Sequence, residues 1–276
     1  MTEQAEVELR ARRVAFLEEE EGALRTNPIH SDAGARELGF RAALVPGVTL
    51  WGWCVPLVER MLGAEWLEAG WAKVRFRRPV YPGEELELVV GRRPSGQSSF
   101  EGSAAGTVRL TGEAGFGEGL PPEYRPPSLR IPQRRPDERP ELRSRTAPVG
   151  ADLPAMLAPL SVDEARAYAL EVLGEEDERW IGPRPRAHPA WLAGRVAPLL
   201  RHAFRFGPSI HVASVLQFIR PAHAGQAFVV AGRIADAYER NGHEYVVVDA
   251  CVIGEDGRDV LKVRHTTIVR PAARPA

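Results

Sequence analysis

The chain has 276 residues, of which 44% are apolar and 26% charged, with a formal net charge of -1. That apolar share supports a packed core and excludes a wholly disordered chain, while the near-zero charge offers no field to gather nucleic acid or an anionic membrane. No apolar run approaches the roughly 18 residues that span a bilayer, and the acidic start Met1–Glu8 lacks the apolar stretch of a secretory leader, so a cytoplasmic protein without nucleic-acid or membrane partners is expected. Along the chain, Val48–Leu62 is apolar on nearly all faces and predicts a buried helix with a kink at Pro56. Strands are predicted at Trp71–Arg77, Glu85–Val90 and Gly106–Thr111, with a turn at Pro82-Gly83. Eight prolines then fall between Leu120 and Leu153; they remove backbone donors and disfavour helix, which predicts an extended connection. Beyond it come an amphipathic helix at Ala165–Leu173, a buried helix at Ala190–Phe204 and strands at Val212–Ile219, Ala227–Ile234, Tyr245–Ile253 and Val260–Val269. Cys54 and Cys251 are too few for a disulfide framework or a metal cluster and are expected as buried free thiols.

An offset of 142 residues aligns the two halves without a gap. Leu50, Gly52, Pro56 and Leu57 fall on Leu192, Gly194, Pro198 and Leu199; Phe76, Arg78, Pro79 and Gly83 fall on Phe218, Arg220, Pro221 and Gly225. These eight identities lie within positions 48–83, where chance gives about two. A duplicated α+β unit is expected, each copy one buried helix against antiparallel strands, with boundaries at 1–120, 121–153 for the proline-rich linker, and 154–276.

The chemical signal precedes the first buried helix. Asn27-Pro28 favours a turn and places His30 beside it, Asp32 follows, and Gly47 offers backbone N–H at a helix start, where the dipole favours negative charge. A base near an oxyanion donor is what thioester enolate chemistry needs. Asn27-Pro28-Ile29-His30, Asp32, Gly39-Phe40 and Gly47 resemble the hydratase motif of the MaoC-like, (R)-specific enoyl-CoA hydratase/dehydratase family. Gly207–Val212, Glu239–His243 and Arg264–Ile268 resemble an uncharacterised MaoC-like subgroup. The resemblance, with the duplication, implies a double hot-dog fold: two tandem hot-dog units, each a central helix wrapped by an antiparallel sheet. It also implies reversible addition of water to a trans-2-enoyl thioester of coenzyme A or an acyl-carrier protein, with no cofactor and no metal, and it leaves room for a homodimer. His30 inherits the role of base, Asn27 that of dyad support and Gly47 that of carbonyl polariser.

The motif's aspartate is replaced by Arg25. Arginine stays protonated and cannot transfer a proton, so Asp32, Glu20 and Glu21 are the candidate substitute acids, and Arg25 is alternatively a grip for a carboxylate or a CoA phosphate. Three functions follow: a hydratase with His30 as base, a non-catalytic acyl-thioester binder or partner, and a hot-dog thioesterase. Candidate substrate-binding positions are Arg25, Pro46, His188 (the counterpart of Pro46) and His211. His188 has a competing role as a helix cap, His211 as a satisfied hydrogen-bonding group, and His265, in an alternating strand, as a residue that packs or pairs across the sheet. The second half has no Asn-Pro-x-His, since Val172 stands opposite His30, so at most one site per chain is expected.

Overall fold

The computed structural model describes residues 8–17 and 27–272. Ten strands form one antiparallel sheet: β1 (Glu8–Val14), β2 (Gly70–Phe76), β3 (Glu85–Arg92), β4 (Ser98–Ala104), β5 (Thr107–Phe116), β6 (Met156–Leu160), β7 (Ile210–Phe218), β8 (Gln226–Arg240), β9 (His243–Ile253) and β10 (Asp259–Arg270). Their spatial order is β1-β3-β4-β5-β2-β7-β10-β9-β8-β6. The two fives match strand for strand when each is read outward from the β2–β7 seam. At that seam Lys73 stands opposite Val215, its own counterpart at the 142 offset, so a pseudo-two-fold axis passes through the pair. This is the isologous arrangement of a symmetric dimer, realised within one chain.

Helices α1 (Asp32–Glu37), α2 (Gly47–Leu62) and α3 (Trp66–Ala69) belong to the first half; α4 (Val162–Ala167), α5 (Glu178–Ile181), α6 (Pro189–Ala193) and α7 (Val196–Ala203) to the second. The central helices α2 and α6–α7 follow the same symmetry. α2 packs against β1, β3, β4 and β5 and is buried almost all round, which explains its near-uniform apolar sequence. Trp51, Trp53, Trp66 and Trp71 are all buried in the core. α2 and α6 cross closely: a Cβ on Gly52 would meet Ala190, and one on Gly194 would approach Val48. These four residues form two symmetry-related pairs.

The second central helix departs from the expected single element. It breaks at Gly194-Arg195 into α6 and α7, which places Pro198 in the first turn of α7, where no N–H is missed. Pro56 instead lies inside an unbroken α2. The helix expected at Ala165–Leu173 begins earlier, at α4, and ends as a π-helical turn over Tyr168–Leu173. Strands β1, β4 and β6 were not among the expected elements. β4 turns into β5 through Ala105-Gly106, both at positive φ, a hairpin pair in which alanine gives no turn signal.

The proline-rich stretch is extended, as expected, and it is bound along its length to the second half. Tyr124 donates its hydroxyl to Ala250 O at 2.9 Å, and Arg125 N–H reaches Asp249 Oδ2 at 2.8 Å. Leu142 N–H donates to Arg205 O and Leu153 N–H to Gly232 O, with both leucine side chains buried. Arg143 and the Ser144 backbone together hold the buried Glu244 carboxylate. Asp249, fully buried, also accepts from Arg264. Because strand residues alternate between faces, Asp249 and Cys251 point away from the helix side; this segment is a strap across the outer face of β8 and β9.

Candidate active site

Asn27 and His30 of the motif lie at the boundary between the halves, against Ser209 and Leu44. Pro28–His30 forms one 3₁₀ turn. Leu44 N–H donates to Ile29 O, and Val45 N–H to Val80 O, so the turn lies against the extended segment that feeds α2. Ile29, Ala35 and Leu44 form a small apolar cluster joined by Ile210 from the second half. His30 Nδ1 lies 2.7 Å from Leu44 O. A carbonyl only accepts, so this nitrogen carries the proton and Nε2 presents its lone pair. Nε2 has the Asn27 amide nitrogen at 3.4 Å, long for a hydrogen bond.

Asn27 fastens the motif to the second half in the manner of a strand edge. Its Nδ2 donates to Ser209 O at 2.9 Å, while Ser209 N–H donates to Asn27 Oδ1 at 3.2 Å. Ser209 Oγ accepts from Arg201 Nη2 at 3.1 Å, and the Arg201 guanidinium lies over the Phe206 ring at 4.5 Å. Burial lowers the His30 pKa, and the Arg201 cation lowers it further against the opposing Leu44 hydrogen bond. The imidazole is therefore neutral at physiological pH, with a defined tautomer.

At the start of α2, Pro46 is the capping residue and Gly47 the first helical one. Pro46 O accepts from Thr49 and Leu50 N–H. His211 reaches this point from the second half: a Cβ on Gly47 would fall 3.1 Å from its Nδ1 and 3.0 Å from the Phe76 ring. The Phe76 and His211 rings pack at 4.6 Å. A side chain at position 47 would have to displace these two rings by a few tenths of an ångström.

Two candidates are placed elsewhere. Asp32 is the first residue of α1; its Oδ2 pairs with Arg36 at 2.8 Å and its Oδ1 accepts from Ala43 N–H at 2.9 Å, so it braces the 32–43 loop and makes no hydrogen bond with His30. His188 caps α6, its Nδ1 accepting from Ala190 N–H at 3.1 Å. It is 2% exposed beneath Trp180, whose ring meets it edge-on at 4.6 Å, and burial beside the Arg179 cation pushes its pKa to about 3. Trp180 thus covers the His188 imidazole at the second helix start. Arg25, Glu20 and Glu21 lie outside the described residues.

Sequence reasoning missed Arg201 and Ser209 as members of the site. Ser209 stands inside Gly207-Pro-Ser-Ile-His, which carried a signal of likeness but no role; Arg201 sits in an ordinary amphipathic turn and carried none.

No family model matches the chain, and no curated protein matches its sequence. Solved structures do match. A MaoC-like dehydratase aligns with a TM-score of 0.59 at 18% identity over 89% of this chain and 90% of its own. A conserved hypothetical protein of Mycobacterium tuberculosis with a double hotdog fold aligns with a TM-score of 0.59 at 14% identity over 86% of each chain. An acyl-CoA thioesterase II from Mycobacterium marinum aligns with a TM-score of 0.50 at 14% identity over 85% of this chain and 93% of its own. At these identities the likeness is one of fold: the chain is a double hot-dog protein. Among the described residues no helix is long and apolar enough to cross a membrane.

Proposed function

We propose that the protein is an acyl-thioester hydratase/dehydratase of the MaoC-like kind, adding water reversibly to trans-2-enoyl thioesters. The observation that carries this reading is His30: a neutral imidazole with its Nδ1 proton tied to the carbonyl of Leu44, three residues upstream of the α2 start, which leaves Nε2 as the basic nitrogen. In the hydration direction His30 Nε2 takes a proton from water as the water oxygen bonds to C3. The C2–C3 π pair moves toward the thioester carbonyl, whose developing negative oxygen is held by Gly47 N–H at the positive end of α2. His30 then returns the same proton to C2. Hydrogen and charge balance with one titrating group, so the reaction needs no aspartate at position 25.

The test is hydration of a panel of short- and medium-chain trans-2-enoyl-CoA substrates by wild type, His30→Ala and Arg25→Asp. Turnover by wild type that His30→Ala loses supports the proposal; turnover that survives His30→Ala overturns it. The replacement at Arg25 favours one second reading, a non-catalytic acyl-thioester binder, which predicts binding without turnover and activity gained in Arg25→Asp. The likeness to a thioesterase adds a control: free CoA thiol released without hydration would assign hydrolysis instead.

A further inference from the structure

Three polar side chains, two of them buried, lie in line where β7 meets β10. His211 Nε2 is 2.8 Å from Ser214 Oγ, and Ser214 Oγ is 3.1 Å from His265 Nδ1. Ser214 and His265 are 2% and 3% exposed, and the His211 and His265 rings lie tilted by 32° with centroids 4.2 Å apart. His211 and Ser214 are three residues apart, so strand alternation would send them to opposite faces. A β-bulge resolves this. His265 pairs with Ser214 and Thr266 with Ala213, but Thr267 then pairs with His211, leaving Val212 over. The extra residue turns His211 onto the face of Ser214 and toward the α2 start, the kind of re-aiming that bulges perform beside functional sites.

A serine hydroxyl donates one proton, so the line has two coherent settings. In one, His265 Nδ1–H donates to Ser214, Ser214 donates to His211 Nε2, and His211 carries its proton on Nδ1. In the other, every bond is reversed and Nδ1 is bare. His211 Nδ1 is the ring nitrogen that a Cβ on Gly47 would meet, at 3.1 Å, which puts Gly47 N within about 5.6 Å of it by covalent geometry. Only the first setting gives that nitrogen a proton, so only there can His211 join the helix-start N–H in donating to an incoming anion. One oxygen at about 2.8 Å from each nitrogen fills that span.

We propose that His211 donates its Nδ1 proton to the substrate's thioester carbonyl beside Gly47 N–H, completing a two-donor oxyanion hole whose second donor comes from the half that lacks the motif. Ser214 and His265 are positioning residues that fix the tautomer. Burial, with the neighbouring His265 imidazole, holds His211 well below its ordinary pKa against the opposing Ala213 backbone, and burial pushes His265 to about 4. The donor is therefore neutral imidazole and delivers no net charge into the apolar site. The role rests on the hydratase reading above.

Two measurements on the full chain test it. The first is the tautomer, read by NMR of the protein with ¹⁵N-labelled imidazoles and assigned by loss of the signal in His211→Phe. A protonated Nδ1 on His211 is expected; a bare Nδ1 overturns the proposal whatever the protein's reaction. The second is the infrared carbonyl stretch of bound butyryl-CoA labelled at the thioester carbon. His211→Phe should reduce the red shift seen in wild type, His211→Asn, with an amide N–H near the Nδ1 position, should recover part of it, and Ser214→Ala should fall between. For crotonyl-CoA hydration, kcat should drop about 10²–10³-fold in His211→Phe with KM within a few-fold. Binding with an unchanged carbonyl frequency in both His211 variants removes the His211 role and leaves the hydratase reading intact. No thioester binding by wild type removes both.

Discussion

The two halves share a topology, a helix crossing and a pseudo-axis, yet their helix starts have opposite fates. In the first half Gly47 opens α2 beside His211 and Phe76, with His30 clipped to the segment just upstream. In the second, Pro189 opens α6 and the residue before it, His188, caps the helix, buried and covered by Trp180. The outer faces differ as well: Lys73, Arg75 and Glu101 of the first half are exposed, whereas Asp249 of the second lies beneath the 121–153 strap and Cys251 beneath Ala155 just after it. One half carries the motif; the other supplies Ser209, Arg201 and His211 across the boundary. The two halves are equivalent in topology and unequal in what they place there.

The sharpest way to break this comparison is to substitute equivalent positions. His30→Ala should lower hydration about 10²–10⁴-fold, the range for losing a general base, while Val172→Ala, at the equivalent place in the second half, should leave kcat at wild-type level in the same assay. Next in size is the strap. Leu142→Ala should cost about 2–5 kcal/mol of unfolding free energy, read by urea denaturation, because Leu142 is 2% exposed and joined to the second half; a cost under half a kcal/mol would show the strap to be ornamental. The Arg143 and Ser144 bonds hold the Glu244 pKa at about 2. A carboxylate depressed in the folded state stabilises fully above its unfolded pKa and loses that contribution as pH falls toward the folded value. Glu244→Gln should therefore cost about 2 kcal/mol at neutral pH, after discounting for the part-exposed arginine, and the gap from wild type should close between pH 4.5 and pH 2.

The central glycines give a smaller contrast. Gly52→Ala places a methyl 2.5 Å from Leu173 and 3.1 Å from Ala190 Cβ and should cost about 1–3 kcal/mol by overpacking. At Gly194 the nearest atoms are Ala190 O at 3.2 Å and Trp191 O at 3.3 Å, with Val48 at 3.8 Å, so Gly194→Ala should change thermal stability by less than about 1 kcal/mol. The smallest effect concerns His30 itself. Its lowered pKa places the acid limb of kcat/KM below the ordinary histidine value, and because Arg201 contributes to that lowering, Arg201→Gln should move the limb to higher pH. A limb that stays in place would mean that burial alone sets the imidazole.

Much of this organisation was legible in the residues. The 142-residue offset predicted two equivalent units, and the β2–β7 pairing places Lys73 opposite its own counterpart. The helix–sheet composition and the Asn27–Gly47 motif led to the double hot-dog fold. What stayed hidden depended on neighbours distant in sequence or on silent local chemistry. β4 escaped because Ala105 adopts positive φ without the usual asparagine or glycine. Asp32 was a plausible acid by spacing, but spacing cannot say that Ala43 N–H and Arg36 occupy its oxygens. Arg201 was invisible because its significance is its approach to a histidine 171 positions earlier. His211 was a candidate, but the bulge at Val212 that aims it exists only in the register of two strands.

The pseudo-axis through Lys73 and Val215 has a consequence for inheritance. In a symmetric pair of separate subunits each codon change is expressed twice, so a residue that improves one active centre must be tolerated at its mirror image. Joining the subunits end to end lifts that restriction. Val172 is core where His30 carries a hydrogen-bonded imidazole, and Trp180 covers the residue before one helix start while Phe76 and His211 line the other. The covalent link makes the two mirror-related places separately mutable, and that independence allows a twofold scaffold to hold a one-sided site.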